Sequence, residues 1–223
     1  MGTLEQLRRD VWKANLGIYK ARLVTEHAGN ASGIDRQRGL VVIKPSGVDY
    51  DTMRPADMVV CDLDGRKVKG RLKPSVDLPH HLYLYRHCPE VGGVIHTHST
   101  YATAFALLGR SIPVYLTAMA DEFGEEVPCA PYVDNQGDHI GEAILKYRGK
   151  RAPGILLGQH GTFSWGPTPR DALKAAVMLE DVAKTCFVAL LAGKPQPLAP
   201  EEVEKWYTRY HTTYGQPDLK KKG

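Results

Sequence analysis

The sequence predicts a single α/β domain, residues 1–223, in which helices cover a central sheet. Three observations carry this reading. Segments of helical period alternate with short strand-like apolar runs along all 223 residues, and no shift in composition divides the chain. Hydrophobic residues at 43%, with 24% charged, are enough to fill a core. No apolar run reaches the roughly 18 residues of a membrane span. The first ten residues lack the apolar centre of a signal peptide, and Gln6 stands where myristoylation requires Ser or Thr. These features predict a soluble cytoplasmic protein with no membrane partner.

The elements follow in order. Thr3 and Gln6 form a capping-box pair, and Leu4, Leu7, Val11, Ala14 and Ile18 recur at helical spacing behind them. Residues 29–33, Gly-Asn-Ala-Ser-Gly, read as a loop. Residues 40–44 read as a strand closed by the turn Pro45-Ser46-Gly47. Residues 58–63 and 66–69 pair as a hairpin over Asp64-Gly65. Ser75 is expected to cap a helix running to about His87, and residues 91–98 form a buried strand. Ser99 is expected to cap a helix with Tyr101, Ala104, Phe105 and Leu108 on one side. Residues 112–117, 127–133 and 154–157 are strand candidates, and 140–147 a helix. Thr168-Pro169-Arg170-Asp171 is a strong helix start, and apolar spacing from Leu173 to Leu191 carries that helix to Gly193. Residues 194–200 are a proline-rich linker that leads the final helix, bearing Trp206, Tyr207 and Tyr210, away from the core; a tail completes the segment 194–223. Lys-Pro-Ser occurs at 44–46 and again at 73–75, an echo too short to be an internal repeat.

Charge excludes a nucleic-acid partner. The formal net charge is +4, but Lys220, Lys221 and Lys222 supply three of those charges in a tail expected to be solvated. Cys61, Cys88, Cys129 and Cys186 show no metal-binding spacing and read as reduced, mostly buried thiols. Any metal should therefore sit on nitrogen and oxygen ligands.

Of the nine histidines, His27, His80, His81, His87, His139 and His211 read as surface or hydrogen-bonding residues. His96 and His98 differ. Two positions apart in a strand, they project from the same face, at the end of an apolar run and just before a helix. Paired neutral imidazoles favour a divalent cation such as zinc, although a coincidental pair is equally compatible with the pattern. His160, between Gly158 and Gly161 in Gly-Gln-His-Gly, is a third candidate. Asp77 is the natural oxygen donor; a plain helix-terminus acid is the competing account.

The motifs Gly29-Asn30, Val42-Ile-Lys-Pro-Ser-Gly-Val-Asp-Tyr50, Lys73-Pro-Ser-Val-Asp77, Gly92-Gly-Val-Ile-His-Thr-His-Ser99, Ala120-Asp121, Gln159-His-Gly161, Phe163-Ser-Trp-Gly166 and Tyr214-Gly-Gln216 carry a resemblance that runs nearly end to end. The chain resembles the L-ribulose-5-phosphate 4-epimerases of the class II aldolase/epimerase superfamily. The resemblance implies a three-layer α/β/α sandwich with a largely antiparallel sheet, assembled as a homotetramer with shared active sites. It places metal ligands at Asp77, His96, His98 and His160, with zinc favoured and manganese or cobalt able to serve. Substrate and phosphate contacts fall on Gly29, Asn30, Lys44, Ser46, Gly47, Ser75, Val76 and Asp77, and an acid/base pair on Asp121 and Tyr214, the tyrosine crossing a subunit boundary.

The implied reaction interconverts L-ribulose 5-phosphate and D-xylulose 5-phosphate. The hydrogen on carbon 4 is not acidic, so inversion there requires retro-aldol cleavage of the C3–C4 bond, rotation of the aldehyde and re-formation on its other face. Two proton carriers serve the two faces. Three features depart from the family pattern. Val76 replaces a second serine, the stretch between Asp121 and His160 is short, and Trp206 replaces a histidine. The rival expectations are a class II aldolase cleaving L-fuculose 1-phosphate or a related sugar phosphate, and a non-catalytic module like the adducin head. Aldolases of this type carry Glu where this chain has Asp77, and adducin heads lack a complete ligand set.

Overall fold

The computed structural model describes residues 3–216; the lysine tail lies outside them. Eight strands form one sheet: β1 (Asn30–Asp35), β2 (Leu40–Ile43), β3 (Val59–Asp62), β4 (Lys67–Lys69), β5 (Gly93–Thr97), β6 (Cys129–Ala130), β7 (Gly154–Leu157) and β8 (Gly161–Gly166). Their order is β4-β3-β2-β1-β5-β8-β7-β6, and every pairing is antiparallel except β6 with β7. The helices are α1 (Leu4–Lys20), α2 (Leu78–His87), α3 (Thr100–Leu107), α4 (Thr117–Phe123), α5 (His139–Tyr147), α6 (Pro169–Ala192) and α7 (Pro200–Thr212).

Alternation along the strands sorts the core into two sides, as a period of two requires. Val42, Val60 and Ile95 face α1 and α6, where they meet Val11, Ile18 and Ala176. Val41, Ile43, Val94, Ile155 and Phe163 point the other way, onto α2 and α5 through Leu82, Tyr85 and Ile144. Helices on both faces of a mostly antiparallel sheet make the expected three layers. No helix among the described residues is long and apolar enough to cross a membrane. All four cysteines are free, and Cys61, Cys88 and Cys186 are buried.

Several expectations need correction. Residues 30–33 are not loop but the start of the central strand β1, whose small side chains let two helices lie directly on it. A Cβ on Gly33 would stand 2.8 Å from Pro169 Cγ and 2.9 Å from Leu7 Cδ1. The polar groups of this strand are satisfied internally. Ser32 Oγ lies 2.6 Å from His81 Nδ1 and 2.7 Å from Tyr85 OH, while Asn15 Nδ2 donates to Ala31 O and Asn15 Oδ1 accepts from Ala31 N. His80 and His81 are accordingly buried, not surface residues.

The strands expected at 112–117 and 127–133 shrink to a lone Ile112–Val127 pair and the two residues of β6, and 117–123 is helix. β8, buried throughout, supplies the strand missing from the sequence reading. Helix capping also differs. Gln6 donates to Asp10 rather than back to Thr3, although Thr3 Oγ1 accepts from Gln6 N as expected. Ser99 makes no capping bond, because the Glu180 carboxylate accepts from the Tyr101 and Ala102 amides at 2.9 Å each. On α3 the buried residues are Ala102, Phe105 and Ala106, and Leu108 is 65% exposed. Nor does the linker carry α7 away from the core: Leu198 N donates to Val114 O, and Tyr207 packs on Gly124 at the end of α4.

Candidate active site

Three histidines converge at one end of the sheet. His96 lies on β5, opposite Asn30 of β1 and Phe163 of β8, and His98 follows the end of the strand on the same side. His160 reaches them from the β7–β8 turn, where Gln159 takes a left-handed φ of 55°. Gly161 is required there, since a Cβ would come within 2.5 Å of Thr97 O and 2.6 Å of His98 Cδ2. The ring centroids lie 4.7, 4.9 and 5.2 Å apart.

The donor set suits a divalent cation. His96 Nδ1 donates to Thr162 O at 2.9 Å, which leaves its Nε2 lone pair turned inward, 3.0 Å from His98 Nε2. Phe163 stacks on the His96 ring at 4.6 Å and fixes its plane. Burial drives His96 down to about 4 and also lowers His98 and His160, so all three are neutral near pH 7. One nitrogen from each lies within 4.8 Å of the others. A tetrahedral site with Zn–N near 2.0 Å would need an edge of about 3.3 Å, within easy adjustment of that spacing.

Asp77 stands beside the cluster, in the cleft but outside the tight histidine group. It occupies the N-cap position of α2, one that the sequence assigned to Ser75, yet its carboxylate makes no capping bond. Instead Asn30 Nδ2 donates to Asp77 Oδ2 at 2.6 Å and to Ser75 Oγ at 3.1 Å. Burial alone would raise the pKa of Asp77, but His96, His81 and the hydrogen bond from the Asn30 amide together outweigh it, and the group titrates below the usual carboxylate range.

The other end of the same cleft, whose volume is about 270 Å³, holds Gly29, Asn30, Lys44, Ser46, Gly47, Ser75 and Val76. The two Lys-Pro-Ser tripeptides explain the arrangement. They pair antiparallel, with Ser46 N donating to Lys73 O and Ser75 N to Lys44 O, which sets Ser75 beside Lys44 and leaves both serines lining the cleft. Lys44 is 2% exposed; among the described residues its Nζ hydrogen-bonds the carbonyls of His27 and Pro45 and lies 4.7 Å from the face of Tyr50, with the Asp49 carboxylate acting on it from farther off. Burial depresses it to about 8. A buried ammonium without a carboxylate in hydrogen-bond reach is a site prepared for an anion.

Eleven of the thirteen expected residues thus share one cleft. Asp121 and Tyr214 do not. Asp121 lies on α4, where His211 Nε2 donates to its backbone carbonyl, and its Oδ1 is buried with no hydrogen-bond partner among the described residues. Tyr214 follows α7, stacked on Tyr210 at 4.9 Å and 51% exposed. The cleft also includes His27 and Asn135, which the sequence did not mark. His27 reads as a polar-surface residue, and Asn135 sits in a turn that carries no periodic signal.

A sheet of this topology with a three-histidine cluster at the ends of its central strands defines a class of protein, and the chain belongs to the class II aldolase and adducin N-terminal domain family, whose model matches residues 9–187. It is 45% identical over 196 residues to L-ribulose-5-phosphate 4-epimerase UlaF of Salmonella paratyphi B (strain ATCC BAA-1250 / SPB7), a match covering 83% of this chain and 86% of the relative. Among solved structures it is similar to an L-fuculose 1-phosphate aldolase, with a TM-score of 0.82 and 26% identity over 95% of this chain and 98% of that one. The fold also matches L-fuculose 1-phosphate aldolase from Glaciozyma antarctica PI12, with a TM-score of 0.80 and 21% identity over 94% and 84% of the two chains.

Proposed function

We propose that this protein is a cytoplasmic, divalent-metal-dependent epimerase interconverting L-ribulose 5-phosphate and D-xylulose 5-phosphate. The observation that carries the reading is one cleft holding three neutral imidazoles and Asp77 at one end and, at the other, the buried Lys44, which donates to carbonyls and to no carboxylate among the described residues. Likeness to the 4-epimerase supports the substrate, and Asp77 in place of the aldolase glutamate supports epimerisation. His96, His98 and His160 would hold the cation with Asp77 alongside; zinc suits three imidazoles best, and manganese or cobalt fits the same set. When bound, such a cation supplies Lewis-acid stabilisation of developing oxyanion charge.

The chain's own groups do the remainder. Lys44 and the hydroxyls of Ser46 and Ser75 hold the phosphate, so the aldehyde fragment stays in the cleft while it turns. Asn30, bonded to both Ser75 and Asp77, fixes the phosphate end relative to the metal end. Proton transfer on the two faces falls to Asp121 and Tyr214. Neither lines the cleft of its own chain, so a neighbouring subunit of a homotetramer supplies them. The direct test is incubation of the metal-loaded protein with L-ribulose 5-phosphate. Interconversion of ketopentose phosphates without accumulation of free aldehyde supports the proposal. Aldehyde release from L-fuculose 1-phosphate would favour the aldolase reading, which the 26%-identical structure keeps in play.

Asp121→Asn is expected to retain metal and lose about 10²- to 10⁴-fold in turnover, the range for a general acid or base. Unchanged turnover would move that role to another residue.

A pH dependence follows from Lys44. Its ammonium is charged below about 8 and neutral above, so attraction for the phosphate fades as pH rises through that value. The profile of kcat/KM, which reports the free enzyme, should show a descending limb near pH 8. Lys44→Met should lower kcat/KM at neutral pH and flatten that limb; a limb that persists in the variant belongs to another group.

A further inference from the structure

The cleft does not end at the histidines. A second cavity of about 220 Å³ continues past them, lined by Tyr132, Val133, Asp134, Asn135, Gln159 and His160. Only Asn135 and His160 border both spaces, and none of the phosphate-end residues reaches the second. The order through the molecule is therefore phosphate end, histidine cluster, then the 132–135 turn.

A ketopentose 5-phosphate has the same order: phosphate on carbon 5, the scissile C3–C4 bond, then the carbonyl and the carbon 1 hydroxymethyl. We infer that Asn135 is a specificity-determining residue that hydrogen-bonds the carbon 1 hydroxyl in this second cavity. The inference rests on the proposed function and assigns the end of the substrate that reading leaves uncontacted.

The turn is built to present this amide. Asp134 Oδ1 accepts from Gln136 N at 3.0 Å and from His139 Nδ1 at 2.7 Å, an Asx-type turn that spans Asn135 and ties it to the start of α5. Upstream, Gly158 N donates to Ala130 O, and Gly158 approaches so closely that a Cβ would stand 2.9 Å from Tyr132 N. The turn is thus clamped on both sides. Among the described residues no hydrogen bond engages the Asn135 side chain, which keeps its donor and acceptor for a ligand. An amide serves a hydroxyl well, because it can donate to or accept from it. This turn also lies in the shortened stretch between Asp121 and His160, so the altered wall becomes the part that reads the sugar.

The test compares L-ribulose 5-phosphate with its 1-deoxy analogue in wild type and Asn135→Ala, both metal-loaded. Wild type should favour the hydroxylated substrate by about tenfold in kcat/KM, the scale of one neutral hydrogen bond. The variant should bring the ratio close to one, chiefly through a lower kcat/KM on the hydroxylated substrate. An unchanged preference in the variant would overturn the assignment. Calorimetric titration with a pentitol 5-phosphate and its 1-deoxy form separates the two ideas. Loss of discrimination in the variant supports Asn135 even if wild type epimerises neither sugar, an outcome that would sink the proposed reaction alone; equal discrimination in both proteins sinks the role of Asn135.

Discussion

His98→Asn is expected to fold normally, to bind no stoichiometric divalent metal and to lose at least about 10³-fold in turnover. The magnitude follows from the several kcal/mol that a metal supplies to developing charge, each 1.36 kcal/mol being a factor of ten. His98 is the histidine to change because it sits at the exposed lip of the cleft, whereas His96 is buried against Phe163 and holds Thr162 O. Replacing His96 would mix loss of a ligand with loss of core packing. Two measurements check the result. Elemental analysis should find metal in wild type and not in the variant. Added zinc should raise the melting temperature of metal-free wild type, since a ligand that binds only the folded state stabilises it, and should leave that of His98→Asn unmoved. Full turnover by the metal-free variant would remove the metal from the mechanism.

How much of this could be read from residues alone depended on where the information lies. His96 and His98 were legible because a strand's period of two is local, and the structure places their Nε2 atoms 3.0 Å apart. Thr168 was legible as a cap because the bond from Asp171 N spans only three residues. β1 was not. Gly-Asn-Ala-Ser-Gly has the composition of a loop, and it becomes a central strand because His81, Tyr85 and Asn15, far away in sequence, pair with its polar atoms. The same holds for Ser99, whose capping role passes to Glu180 on a distant helix. In the site, the twin Lys-Pro-Ser tripeptides were visible as text, but their antiparallel pairing, which sets Ser75 beside Lys44 and Ser46 beside Lys73, is a tertiary fact. Asn135 carried no signal, since its importance comes from what the turn faces and not from the residues next to it.

Tyr214→Phe is expected to bind metal like wild type and to be nearly inactive, and the same variant tests whether sites are shared between subunits. Tyr214 and Asp121 sit on one side of the molecule. His211 of α7 donates to the Asp121 carbonyl on α4, while Tyr214 N bonds Arg209 O at the end of α7. Neither residue lines the histidine cleft of its own chain. If Asp121 and Tyr214 are the proton carriers of the proposed reaction, its histidine half and its proton-carrying half lie on separate surfaces, and a head-to-tail ring of subunits is the simplest way to join them. In that geometry every site combines the histidines of one chain with the tyrosine of the next. Mixing equal amounts of Tyr214→Phe and His98→Asn, then dissociating and reassociating them, makes about a quarter of the interfaces intact in both halves, so about a quarter of wild-type activity should return from two inactive parents. A site complete within one chain would instead leave every mixed oligomer dead. Verified mixed oligomers with no activity recovered from two inactive parents would place Tyr214 inside its own subunit's site, and a Tyr214→Phe parent that is itself fully active would place it outside the reaction; either result ends the shared-site proposal.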